Sequence, residues 1–147
     1  MRKTFSFLAI VTAWALVSPA HALTPPLSPE VLQKEADLIV EGEVLGPIYC
    51  EARIEQTSCA DVYRYYVPLE IKKILKGDAN VGEILRLNFV HYDYSKSQCV
   101  GDQGPTVQDK QRGAYYLKKI GPGNYNLWHW SAVKVKTAGK GDLPKCP

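Results

Sequence analysis

Apolar and polar residues alternate with a period of two over residues 62–78, VYRYYVPLEIKKILKGD. Tyr63, Tyr65, Val67, Leu69 and Ile71 fall on one face, and Arg64, Tyr66, Pro68, Glu70 and Lys72 on the other. That is the pattern of a half-buried strand. It slips at Lys72-Lys73, where Ile74 follows out of phase, which predicts a bulge or a strand end. Lys76-Gly77-Asp78 then turns the chain. A strand this long suits one that coils around a small barrel and pairs with different neighbours along its length.

The other elements follow from the same reading. Ser28-Pro29-Glu30 is a helix start, with a capping hydroxyl, a proline at the first helical position and an acid in the first turn; a short helix runs from there to Ala36. Residues 37–46 form a first strand with Leu38, Val40, Gly42 and Val44 on one face. Gly42 inside it marks a bend or a close backbone approach. Residues 48–61 are polar and read as a stapled hairpin loop. A third strand spans 84–92, with Leu85, Leu87 and Phe89 on one face. Residues 93–112 form a long polar connection. A fourth strand, GAYYLKKI, covers 113–120, Gly121-Pro122-Gly123-Asn124 is a turn, and a fifth strand covers 125–136. The expectation is an all-β protein: a small OB-like, five-stranded Greek-key barrel with a short N-terminal helix and two disulfides. A β-sandwich, the competing fold, would usually have about seven strands.

Composition narrows the setting. Residues 1–22 carry a charged start (Arg2, Lys3), an apolar run and an Ala20-His21-Ala22 cleavage pattern, which identifies a secretory signal; the domain is then 23–147, beginning at Leu23. The chain is expected in a secreted or periplasmic setting, with no membrane span. Of 18 Lys+Arg and 15 Asp+Glu, removal of Arg2 and Lys3 leaves 16 against 15, a net charge near +1. A nucleic-acid binder needs a basic footprint, so that class is excluded. Four cysteines in an exported chain read as two disulfides. Three pairings exist. Cys50–Cys59 would close the predicted hairpin loop and Cys99–Cys146 would tie down the tail, so that pairing is expected. No C-x-x-C spacing supports a cysteine metal site.

Several segments together resemble a known family. Ala36-Asp37-Leu38-Ile39-Val40-Glu41-Gly42-Glu43-Val44 is similar to the opening strand of the tissue-inhibitor-of-metalloproteinase and netrin-module group. Val67 to Gly77, ending Ile74-Leu75-Lys76-Gly77, resembles that group's second strand. Cys99-Val100-Gly101 followed by Gly113-Ala114-Tyr115-Tyr116-Leu117 resembles its cysteine–glycine segment and the strand after it. The resemblance covers residues 36–133. It implies an OB-like five-stranded barrel with disulfides in a secreted protein that binds other proteins. The inhibitors of that group begin with a cysteine whose amino group and carbonyl chelate the enzyme's zinc. The arm 23–29 has no cysteine, so the fold is carried over and the zinc-chelating residues are not.

Candidate chemistry is sparse. His91 and His129 lie on different predicted strands, and Asp93 makes a His-x-Asp pair with His91. A metal or acid–base site built from them is weighed against two unrelated histidines, the commoner arrangement, and no third ligand is evident. No serine sits in a nucleophile motif, and Glu41 and Glu43 read as a solvated strand face. Trp128 and Trp130 are the candidate binding residues: phased from Val133 and Val135 along one strand, both point outward, as in a surface that binds a partner. A bulge that reset the phase would make them core. The expected function is therefore an exported, non-enzymatic, protein-binding or inhibitor-like module with no cofactor and no metal, acting on an unidentified protein, a peptidase among the candidates. The alternative is a small metal-dependent enzyme or metal-binding protein using His91, Asp93 and His129.

Overall fold

The computed structural model describes residues 24–147. The signal segment 1–22 and the expected first residue Leu23 lie outside the described residues. Ser28 Oγ accepts from Val31 N at 3.3 Å and caps α1 (Pro29–Glu35) as its sequence predicts. Lys76 Nζ donates to the Gln33 and Ala36 carbonyls at 2.8 and 2.6 Å, satisfying the end of the helix with a cation.

Among the described residues seven strands follow: β1 (Leu38–Val44), β2 (Tyr49–Gln56), β3 (Asp61–Lys76), β4 (Ile84–Asp93), β5 (Arg112–Gly121), β6 (Asn124–Asn126) and β7 (Val133–Thr137). They form one sheet in the order β1-β3-β4-β6-β5-β7, and β1 also pairs with β5, so β1, β3, β4, β6 and β5 close a ring of five. β3 is 16 residues long. Its first part pairs with β2 and its last part with β1, while β4 runs along the other side. The register with β1 skips Lys72, where the alternation slips, and the strand continues past this bulge to Lys76. Val40, Val44, Val67, Leu69, Ile71, Leu87, Phe89, Tyr115 and Leu117 are fully buried inside the ring. Among the described residues no helix is long and apolar enough to cross a membrane.

Three expectations are corrected. The segment read as a loop, 48–61, contains β2. Its residues are exposed on both faces apart from the half-buried Cys50, because β2 pairs with β3 alone among the described strands and only Cys50 touches the core. The expected fifth strand, 125–136, is broken into β6, a single 3-10 turn (Trp130–Ala132) and β7. Ser131 N and Ser131 Oγ both bond His129 Nδ1, at 3.1 and 2.8 Å, and this local side-chain hook competes with a strand ladder.

The disulfides are the third correction: they pair Cys50 with Cys146 and Cys59 with Cys99, with Cα–Cα distances of 5.3 and 5.4 Å. The expected Cys50–Cys59 bond is excluded by β2 itself. Cys50 sits opposite Tyr65 at one end of the hairpin, and Cys59 lies in the turn beyond the Gln56–Asp61 pair. At about 3.3 Å per residue the two are roughly 20 Å apart, beyond the reach of a disulfide. Two disulfides suit an oxidising compartment.

Candidate functional site

Two surface regions bring chemistry together. The first surrounds the broken strand. Leu127 N donates to Asn88 O at 2.8 Å, and Leu127 is buried. Buried Asn88 donates from Nδ2 to Tyr125 O at 3.0 Å, which fixes the parallel β4–β6 pair. Past Leu127 the chain leaves the sheet and presents Trp128, His129 and Trp130 in succession, all half-buried. Trp128 packs against the core with Lys118 Nζ 4.4 Å over its ring. Trp130 stacks on His129 with centroids 5.7 Å apart, and its Nε1 donates to Thr24 O at 2.9 Å.

The arm before α1 is therefore docked here. Leu27 N donates to Ser131 Oγ at 3.0 Å, and that hydroxyl in turn bonds His129 Nδ1. Because Ser131 N also donates to Nδ1, Nδ1 is an acceptor and the neutral ring carries its proton on Nε2. Trp128 Nε1 and His129 Nε2 are buried donors without a partner among the described residues. Trp130 lines two clefts, of about 480 and 300 Å³. Loop residues Gly101, Asp102 and Gly104 wall the first and Asp102, Gly104 and Pro105 the second.

The second region is a cleft of about 710 Å³ at the mouth of the ring. Tyr63, Tyr65, His91 and Asp93 form its floor, loop residues 103–108 one wall, and the tail 141–146 another. Burial holds the His91 imidazole below its ordinary pKa, against the opposing pull of Asp93 and the Gln103 backbone, so the ring is neutral at pH 7. Asp93 is held low by the Ser95 hydroxyl and by Ser95 N, which donates to it at 2.9 Å. Asp61, buried at the rim, is lowered by Lys96, whose Nζ lies 2.9 Å away. The loop reaches this position through Gln111, a buried side chain that donates to Thr106 O at 3.2 Å and accepts from Gln108 N at 3.1 Å.

Of the residues singled out from sequence, Trp128 and Trp130 come together with His129, and His91 comes together with Asp93. His91 and His129 line separate clefts. Among the described residues no group of three or more His, Cys, Asp or Glu side chains is placed to hold a metal. Tyr65, Gln111, Ser131 and the arm residue Thr24 also build these regions and went unnoticed. Tyr65 reads as one more core position, Ser131 and Thr24 act through contacts of the arm 104 to 106 residues apart, and Gln111 acts through local bonds within its loop that no motif signals. No family model, curated protein or solved structure matches the chain.

Proposed function

We propose that the chain is an exported, non-enzymatic, protein-binding module of inhibitor-like type, built on an OB-like barrel of the metalloproteinase-inhibitor and netrin-module kind, with Trp130 and Trp128 as its anchor. The observation that carries this reading is the setting of Trp130. Its half-buried indole is held by Thr24 O and by the His129 ring between two clefts. An aromatic side chain already fixed before binding loses little entropy on association, and such residues dominate interface energies. The closed ring of five strands supports the OB-like reading. The partner is a protein, with peptidases among the candidates, and recognition runs through side chains and loops rather than through a metal-chelating N-terminus.

Affinity capture from the native periplasm or secretome, with disulfides intact, tests this when wild type and Trp130→Ala are run side by side. The expected result is a partner retained by wild type and lost by Trp130→Ala, with both proteins melting at similar temperatures. A partner set indifferent to Trp130 rejects the reading.

A further inference from the structure

Both disulfides serve one place. Cys59–Cys99 ties the 94–111 loop to the β2–β3 turn, and Cys50–Cys146 ties the C-terminal tail to β2. The loop and the tail are the two walls of the mouth cleft that do not belong to the ring. The tail meets the floor as an extended peptide would. Leu143 packs against the core cluster, Pro144 O accepts from Tyr65 Oη at 3.0 Å, and Gly141 O accepts from Gln108 Nε2 at 3.4 Å. Tyr65 is 4% exposed, so its hydroxyl is a deep donor aimed out of the barrel at a backbone carbonyl. Among the described residues no sheet ladder bonds hold residues 141–147; side-chain contacts and one covalent link do.

We propose that the strip of this cleft along Tyr65 and Gln108 is a groove for a peptide that seats one apolar side chain and offers two backbone carbonyls, that the chain's own 141–144 segment occupies that strip here and so walls the open part of the cleft, and that Cys50–Cys146 is the latch. A partner segment of the same chemistry replaces the tail when a thiol opens that bond. The exchange is balanced. The incoming thiolate attacks Sγ of Cys50, a new disulfide forms there, the Cys50–Cys146 bond breaks, and Cys146 leaves as a thiolate that takes a proton from water. The groove then offers the same three features to the new occupant: the Leu143 site, the Tyr65 hydroxyl and the Gln108 amide. This site is separate from the tryptophan region and shares with its clefts only loop residues 103–106.

The native oxidised protein tests this directly. It is incubated with the peptide GDLPKCP, which copies residues 141–147, or with a scrambled control that keeps cysteine in sixth place. Mixed disulfides are then mapped by non-reducing mass spectrometry. One hydrogen bond and one half-buried leucine predict capture of the native-order peptide on Cys50 at roughly tenfold the level of the control. Tyr65→Phe should lower the ratio of native-order to scrambled capture about fivefold, because the resident tail loses its bond equally in both incubations and only the native-order peptide could have made it. Trp130→Ala should leave it unchanged, which separates this result from the fate of the tryptophan reading. Equal capture of both peptides, or a native-to-scrambled ratio unaffected by Tyr65→Phe, overturns the proposal.

Discussion

Gly42 on β1 lies directly against Leu69 on β3: a β-carbon on Gly42 would stand 3.0 Å from Leu69 Cδ1 and 2.9 Å from the Glu70 carbonyl. The contact falls where the β1–β3 register shifts, beside Ile71. β1 also pairs with β5 at this residue, Gly42 against Gly113, so the backbone is held on both sides. It cannot move away from a new methyl without disturbing two ladders. Gly42→Ala should therefore destabilise the protein by about 1–3 kcal/mol, the usual effect of overpacking. Chemical denaturation should show the midpoint falling with an unchanged slope.

The disulfides close segments separated by 96 and 40 residues. In the chain-entropy description their removal costs about 5 and about 4 kcal/mol. Cys50→Ser with Cys146→Ser and Cys59→Ser with Cys99→Ser should each lower stability by a similar amount, the first pair slightly more. Non-reducing peptide mapping should recover Cys50–Cys146 and Cys59–Cys99 peptides and no Cys50–Cys59 peptide.

Tyr115 sets an alkaline limit. Burial pushes its phenol from 10.0 up to about 12, with Gln111 hydrogen bonding as the smaller, opposing influence. The folded state favours the neutral phenol. The stabilisation is thus complete below pH 10, where both folded and unfolded chains are protonated, and is lost as pH rises from 10 towards 12. Two units correspond to about 2–3 kcal/mol. Denaturation midpoints followed upward from pH 9 should fall across this window; burial raises the Tyr65 and Tyr125 phenols as well, and tyrosinate absorbance should lose a late-titrating component in Tyr115→Phe.

The alternations were legible because burial on one face writes itself into sequence. Leu38, Val40 and Val44, Tyr65, Val67, Leu69 and Ile71, and Leu85, Leu87 and Phe89 all face the core as their spacing requires. β2 was illegible for the complementary reason. In YCEARIEQ only Cys50 touches the core, so no periodicity selects its side chains. The break after Leu127 was hidden because the outcome rests on a local choice at Ser131, whose hydroxyl and amide prefer the His129 ring to a ladder. The cysteine pairing depended on where the tail returns, and that is settled by long-range contacts such as Tyr65 with Pro144, 79 residues apart. The tryptophans were picked out as candidates by residue type. Their surroundings, a docked arm and a 3-10 turn, come from the same unforeseen break.

The last prediction separates the two tryptophans. Strand phasing treated them as a pair on one face, whereas the chain here is irregular and each has its own environment. Trp128 packs against the core cluster beneath Lys118, with its Nε1 buried. Trp130 is held from outside by Thr24 and stacks on His129. Trp128→Ala should leave a cavity beside Leu127 and lower stability by about 2–4 kcal/mol, somewhat less than a fully buried tryptophan would. Trp130→Ala should lower it by about 1 kcal/mol, the worth of one hydrogen bond and a partial stack. The order reverses for binding: Trp130→Ala should weaken partner affinity by about 2 kcal/mol or more while the protein stays folded. Melting curves and affinities measured on the two single variants decide the matter. Equal stability losses would mean that Trp130 is as much a core residue as Trp128, and the binding anchor would have to be sought elsewhere on the surface.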